Sequence, residues 1–176
     1  MKRLRLVAGV LFYLTRIASV VYFIVAAYLG IIMLLFGLNG NTKHLPVSLD
    51  GDRFTIYFPF TRQPFLLGEN NTQFVLTSML TIFGYAFFIW LLSGVFNSFR
   101  KQKLFTPSSV KRLSRFYVFN LIVPVLVLAI LIILGISVSN AVPIALLHLL
   151  AGVFAFFMTV IFREGLILQN EQDLTF

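Results

Sequence analysis

The sequence predicts an all-α membrane protein, a four-helix transmembrane bundle with a small extracytoplasmic β-hairpin between helices one and two. Of the 176 residues, 59% are hydrophobic, only 11% are charged, and four long stretches contain no charged residue. A soluble domain of ~150 residues buries only about 70% of the surface that its unfolded chain exposes. Such a domain could not hide this much apolar surface from water, so a soluble enzyme is excluded.

Each uncharged stretch is long enough to cross a bilayer, which takes about 20 apolar residues in a helix. The stretches cover residues 17–38, 74–96, 116–138 and 141–162. They divide a single integral membrane domain into an outer loop, a cytoplasmic loop and a cytoplasmic tail, at residues 39–73, 97–115 and 163–176. A cleaved signal peptide is the less favoured interpretation of the N-terminus, because apolar sequence continues beyond the ~7–15 residues of a signal core.

The basic residues predict the orientation. The net charge is +8, and 11 of the 14 Lys and Arg residues fall in residues 2–16, the cytoplasmic loop or the tail. Basic loops remain in the cytoplasm, so both termini are expected there, and four crossings agree with this. Basic residues beside a membrane also favour contact with anionic lipid headgroups, and no direct binding of nucleic acid is expected.

The outer loop contains a hairpin signal. Asp50-Gly51 separates two extended runs, and Phe54, Ile56 and Phe58 alternate with polar residues in the second run. This period of two predicts a strand with one buried face. We expect Pro59 and Pro64 to limit any longer sheet.

The cytoplasmic loop contains a helix start. Thr106 is suited to the N-cap and Pro107 to the first helical position, while Phe105 and Val110 have the spacing of a hydrophobic staple. Pro124 is expected to kink the third helix inside the bilayer. The short turn between Gly135 and Pro143 predicts that helices three and four form an antiparallel pair.

Small and polar residues follow one face of span four, which is the pattern of closely packed membrane helices. They recur at spacings of three and four: Ala141, Ala145, His148, Gly152, Ala155 and Thr159. Weaker stripes include Tyr22 in span one and Thr81 in span two. We expect these faces to meet in the bundle interior, where His148, Thr159, Thr81 and Tyr22 are candidate ligand-binding residues.

His148 is the single histidine within a span, and ionisable residues in membranes are candidates for function. A neutral imidazole hydrogen-bonded across a helix interface is the favoured interpretation. A ligand site, a proton relay and a haem with His44 as second imidazole are the alternatives. Two histidines with no cysteine form a poor metal set, so no metal and no cofactor are predicted.

Catalytic patterns are missing from the sequence. No span contains Asp or Glu, which are the usual proton or sodium couplers of transporters. No glycine-rich phosphate loop, serine nucleophile elbow or His-Glu-x-x-His pattern is present. The sequence therefore predicts a protein that is not an enzyme.

Two cytoplasmic segments, together with four spans at this length, resemble a known family. One is residues 96–113, with Leu104-Phe105-Thr106-Pro107 at the helix start, and the other is residues 162–176, with Glu171-Gln172-Asp173-Leu174-Thr175 near its end. They resemble the bacterial membrane family catalogued as domain of unknown function 2975. The resemblance implies a bacterial cytoplasmic (inner) membrane protein, often encoded beside a small Cro-like transcription repressor. It implies no activity and no catalytic residue.

Charged residues on the cytoplasmic side are candidates for partner binding. They are Arg100, Lys101, Lys103 and Arg112 of the loop and Arg163, Glu164, Glu171 and Asp173 of the tail. The leading hypothesis is a non-enzymatic accessory or regulatory protein that contacts a cytoplasmic regulator or a larger membrane complex. A purely structural role of these charges, fixing helix ends, is also open. The alternative function is a small homo-oligomeric ligand-binding, export or channel protein that uses the polar interior around His148, and a haem-binding redox subunit is a third.

Overall fold

The computed structural model describes residues 2–39 and 45–174. This part of the chain contains four long helices and three short strands, in the order α1 (Lys2–Asn39), β1 (Val47–Asp50), β2 (Arg53–Tyr57), β3 (Pro64–Glu69), α2 (Thr72–Arg100), α3 (Pro107–Ile133) and α4 (Ala141–Leu174). The chain divides into two compact units. The first unit is residues 1–18 with 87–176, and the second unit is residues 19–86.

Apolar side chains are exposed along all four helices. Leu6, Phe87, Ile133 and Phe154 are examples, with Ile133 82% and Phe154 69% exposed. Lipid-facing helices present such a surface, because the bilayer and not water surrounds them. Each of the four helices is long and apolar enough to cross a membrane.

The helices extend beyond the uncharged stretches of the sequence at the basic end. Helix α1 begins at Lys2, and α4 continues to Leu174, so most of the predicted tail is helical. Helix α3 ends earlier than the third predicted span and runs without interruption through the buried Pro124. Its first turn is the predicted one: Thr106 is the N-cap, and its hydroxyl oxygen accepts a hydrogen bond from the Ser109 N–H at 3.2 Å.

Helices α3 and α4 form the predicted antiparallel pair. Residue numbers fall along α3 as they rise along α4, as the Asn120–His148 and Tyr117–Phe156 contacts illustrate. A Schellman motif ends α3: Gly135 has φ +68°, its N–H donates to Ile132 O, and the N–H of Ile136 donates to Leu131 O. Glycine adopts this left-handed conformation without the steric cost of a Cβ atom.

The outer loop forms a three-stranded antiparallel sheet in the order β1-β2-β3, so the predicted two-stranded hairpin was incomplete. The turn between β1 and β2 is the predicted one, with Gly51 at φ +57°. The two prolines did not end the sheet as expected. Pro59 lies in the loop between β2 and β3, and Pro64 is the first residue of β3, a position that proline tolerates.

The core of the second unit lies between the sheet and its helices. Leu29 and Ile32 of α1 pack with Val47, Phe54 and Ile56 of the sheet. Phe54 and Ile56 are buried as the alternation predicted. Phe58 is 43% exposed, contrary to the prediction, because an irregularity between Ile56 and Tyr57 interrupts the alternation and Phe58 lies beyond β2.

Candidate functional site

A hydrogen-bonded pair of polar side chains lies between α3 and α4. The Nδ1 atom of His148 is 2.7 Å from Oδ1 of Asn120. Asn120 is fully buried, and its Nδ2 atom donates to the carbonyl oxygen of Phe116 at 2.8 Å. The favoured interpretation of His148, an imidazole hydrogen-bonded across a helix interface, matches this geometry.

The bonds of Asn120 determine the proton position on His148. Because the Phe116 carbonyl can only accept, the amide nitrogen of Asn120 must face it and the amide oxygen must face His148. An amide oxygen has no proton to give, so His148 Nδ1 carries the proton and donates. In the neutral imidazole, Nε2 is then the acceptor nitrogen.

An aromatic ring, Phe88, and a close approach of α3 to α4 lie beside the pair. Phe88 meets His148 edge to face, with ring centroids 4.8 Å apart. One turn along α4, a Cβ atom added to Gly152 would lie 2.8 Å from Leu121 and 3.2 Å from the Cβ of Asn120. Gly152 therefore permits the close approach of the two helices at which the hydrogen bond forms.

Sequence reasoning missed Asn120. Its signal was present, since Asn120 is an amide within an apolar stretch, four residues before Pro124. Proline has no N–H, so it leaves the carbonyl at that earlier position without its usual helical donor. The Asn120 side chain does not replace that donor, because its amide bonds to the Phe116 carbonyl and to His148.

The other candidate ligand-binding residues lie apart from the pair or in the second unit. Thr159 is buried in α4, where its hydroxyl donates to the Ala155 carbonyl at 2.7 Å. Thr81 donates in the same way to Thr77 within α2, and it is exposed. Tyr22 is 43% exposed on α1. Of the four predicted residues, His148 alone belongs to a polar contact between helices.

Among the described residues, no group of three or more His, Cys, Asp or Glu side chains could hold a metal ion. His44, the predicted second imidazole for a haem, lies outside the described residues.

The side chain of Arg100 makes its contacts with other residues of the first unit. Its Nη1 donates to the Tyr13 hydroxyl at 3.0 Å and its Nε to Oδ1 of Asn97 at 3.0 Å. Its guanidinium also lies 4.3 Å from the ring centroid of Phe12. These contacts tie the end of α2 to α1, so Arg100 supports the helix ends.

The remaining predicted partner-binding residues are mostly exposed. Lys101 and Lys103 lie in the loop between α2 and α3, and Arg163, Glu164 and Glu171 lie on the extended part of α4. Asp173 belongs to the last turn of α4, but its side chain lies outside the described part. We call the five exposed residues the charged surface.

Arg112 differs from these residues, because it lines a cavity of about 210 Å³ in the first unit. Nine residues surround this basic cavity, and its polar ones are Arg16, Trp90, Ser93, Asn97, Arg112 and Arg115. The Nη1 atom of Arg112 is buried and has no hydrogen-bond partner. Sequence reasoning grouped Arg112 with the surface charges, since burial of its guanidinium depends on how three helices pack.

Residues 41–176 match a family model described as "Protein of unknown function (DUF2975)". The match covers both segments that carried the resemblance, residues 96–113 and 162–176, together with the sheet and helices α2 to α4. No curated protein and no solved structure matches the chain. Because the family model covers well over half of the sequence, the chain belongs to the DUF2975 family.

Proposed function

We propose that this chain is a non-enzymatic accessory or regulatory protein of the bacterial cytoplasmic membrane, which acts through protein partners at its charged surface. The observation that supports this most is the length of α4. The helix continues for twelve residues, 163–174, past its uncharged stretch. At 1.5 Å per residue this extension is about 18 Å long, which gives a partner a rigid surface outside the bilayer.

The composition of the charged surface supports binding of a protein. It combines basic and acidic side chains, Lys101 and Lys103 with Arg163, Glu164 and Glu171, and all five are exposed. Exposed ion pairs contribute only about 0–1 kcal/mol to a fold, so stability gives little reason for such an arrangement. Charges of both signs on a rigid element favour selection of a complementary partner.

The charge distribution supports the orientation that we propose. Eleven of the 14 basic residues lie in residues 2–16, 97–115 and 163–176, whereas the loop between α1 and α2 carries three basic and three acidic residues. Basic segments are retained in the cytoplasm, so the proposed partner is a cytoplasmic regulator or the cytoplasmic face of a larger membrane complex.

A quantitative pull-down in mild detergent tests this proposal. The test variant is Lys101→Gln/Lys103→Gln, and the control is Arg53→Gln/Arg62→Gln, which removes the same charge from exposed positions of the second unit. We expect a defined protein whose recovery falls with the test variant and is unchanged with the control. Recovery of this chain alone under several growth conditions would contradict the proposal.

A second candidate function rests on the Asn120–His148 pair. A small homo-oligomeric ligand-binding, export or channel protein would need polar groups inside its helices, and this pair supplies an amide and an imidazole there. Flux assays in liposomes test it with wild-type protein and His148→Ala. Absence of flux for a set of small cations, anions and amphiphiles, with no response to His148→Ala, would remove this candidate.

A further inference from the structure

The basic cavity has the chemistry of an anion site. Three arginines line it, Arg16 of α1 and Arg112 and Arg115 of α3. None of the nine lining residues is acidic. Like charges gathered around one cavity repel one another, and a bound anion relieves that repulsion.

Two of the three neutral polar residues of the cavity, Asn97 and Trp90, also favour an acceptor ligand. Asn97 uses its amide oxygen to accept from Arg100, so its NH₂ group is what remains for a ligand. The Ser93 hydroxyl donates to the Trp90 carbonyl at 2.6 Å. Trp90 itself offers only an N–H. The Asn97 amide and the Trp90 indole are therefore donors, whereas the Ser93 hydroxyl has already used its proton and can only accept.

Arg112 is the most informative of these donors. Its aliphatic chain lies along α2 at Gly94, at an ordinary van der Waals distance of 3.8–3.9 Å from where a Cβ would be. The guanidinium at its end has one buried nitrogen, Nη1, with no partner. A buried donor on a charged group without a partner is costly, so this geometry indicates a missing acceptor.

The position of the cavity along the helices indicates the depth in the membrane at which that acceptor would lie. Arg16 and Arg115 immediately precede the uncharged stretches that begin at Ile17 and Phe116. Trp90, which is 36% exposed, lies beneath the Arg16 guanidinium at 5.9 Å. Tryptophan and arginine are enriched where apolar helices meet lipid headgroups. The cavity thus lies where phosphate groups of lipids are found.

We propose that the basic cavity binds a phosphate group, with Arg112 as its central ligand and Arg16 and Arg115 completing the charge. Guanidinium groups pair with phosphate oxygens through two parallel N–H···O bonds, and this geometry satisfies the buried Nη1. The phosphate is either that of an anionic lipid headgroup or a soluble phosphate. A volume of about 210 Å³ holds a headgroup-sized anion and is smaller than the usual cavity for a drug-sized ligand.

The single tryptophan of the chain makes the test specific, because Trp90 lines the cavity. The full chain is placed in nanodiscs of phosphatidylcholine, and Trp90 emission is recorded in two arms. One arm adds increasing fractions of phosphatidylglycerol to the nanodiscs, and the other adds inorganic phosphate to phosphatidylcholine nanodiscs. A saturable change in one arm supports the site and identifies its source, and a change in neither arm overturns the proposal.

Arg112→Gln is the test variant, and Lys111→Gln is its matched control, since Lys111 is the exposed neighbour on the same helix and loses the same charge. We expect Arg112→Gln to weaken binding by about tenfold or more, because a charge-assisted contact is lost. Lys111→Gln should leave binding unchanged. Equal weakening by both variants would indicate general attraction to a basic surface and would overturn the site.

A second measurement separates binding from folding. Ligands that bind only the folded state raise the melting temperature. The phosphate source found in the first experiment should raise the melting temperature of wild type and of Lys111→Gln, but not that of Arg112→Gln. Arg115→Gln, a second cavity variant, should show a reduced rise. An undiminished rise in both cavity variants would contradict the proposal.

Discussion

His148 on α4 donates its Nδ1 proton to Oδ1 of Asn120 on α3 across 2.7 Å. The Nδ2 atom of Asn120 in turn donates to the backbone carbonyl oxygen of Phe116 on the same helix. Two side chains that are 28 residues apart in the chain thereby fix the register of the two helices. Because Asn120 is fully buried, water does not replace His148 as the partner of its amide oxygen.

Replacement of Asn120 or His148 by alanine should destabilise the protein by about 1–2 kcal/mol, because a buried donor or acceptor loses its partner. The double variant Asn120→Ala/His148→Ala should cost less than the sum of the single variants, with a coupling of about 1 kcal/mol. Reversible unfolding in detergent micelles measures all four proteins of the cycle. Strict additivity would show that the two side chains do not interact.

Gly152→Ala should destabilise the contact between α3 and α4. The added methyl group would overlap Leu121 and approach the Cβ of Asn120, and overpacking of this kind costs about 1–3 kcal/mol. The matched control is Gly84→Ala in α2, where no atom lies within 4 Å of the new Cβ. Melting temperatures in detergent should fall for the first variant and not for the second. Equal behaviour of both would show that Gly152 is not at a close contact.

Arg100→Gln should loosen the junction of α1 with the end of α2. The variant loses the hydrogen bond to Tyr13 and the stacking on the Phe12 ring, which together contribute about 1–2 kcal/mol. Lys101→Gln removes the same charge from the next, exposed residue and serves as the control. A lower melting temperature for Arg100→Gln alone is the expected result. If Lys101→Gln lowered the melting temperature equally, net charge and not the Arg100 contacts would be responsible.

The proposed orientation can be tested by thiol labelling, because the chain contains no cysteine of its own. Gln63→Cys places a thiol in the loop between β2 and β3, and Gln102→Cys places one in the loop between α2 and α3; both positions are exposed. A membrane-impermeant maleimide should label residue 63 in intact cells and residue 102 only after permeabilisation. The reverse pattern would invert the orientation, and labelling of both in intact cells would contradict separation of the two loops by the membrane.

Local signals in the sequence predicted local structure. Thr106 and Pro107 identified the first turn of α3, because an N-cap depends on residues within one turn of each other. Gly51 identified the first turn of the sheet for the same reason. The four long helices follow from length and hydrophobicity alone.

Sequence patterns do not predict contacts between residues that are far apart in the chain. Strand β3 was missed because its pairing depends on Gly68, where a Cβ atom would come within 2.6 Å of the Phe54 ring and closer still to Phe74. Asn120 was missed because its partner is on another helix. Arg112 was identified as a charged candidate, but the cavity around its guanidinium arises only when three helices come together.

The division of the chain has a consequence for biosynthesis. Residues 19–86 are continuous in sequence, and their sheet is a meander of neighbouring strands, so this unit can complete its native contacts while the ribosome is still translating the rest. The other unit requires residues 1–18 together with residues 87–176. Residues 1–18 can therefore meet their permanent neighbours only after residues 87–176 have been synthesised.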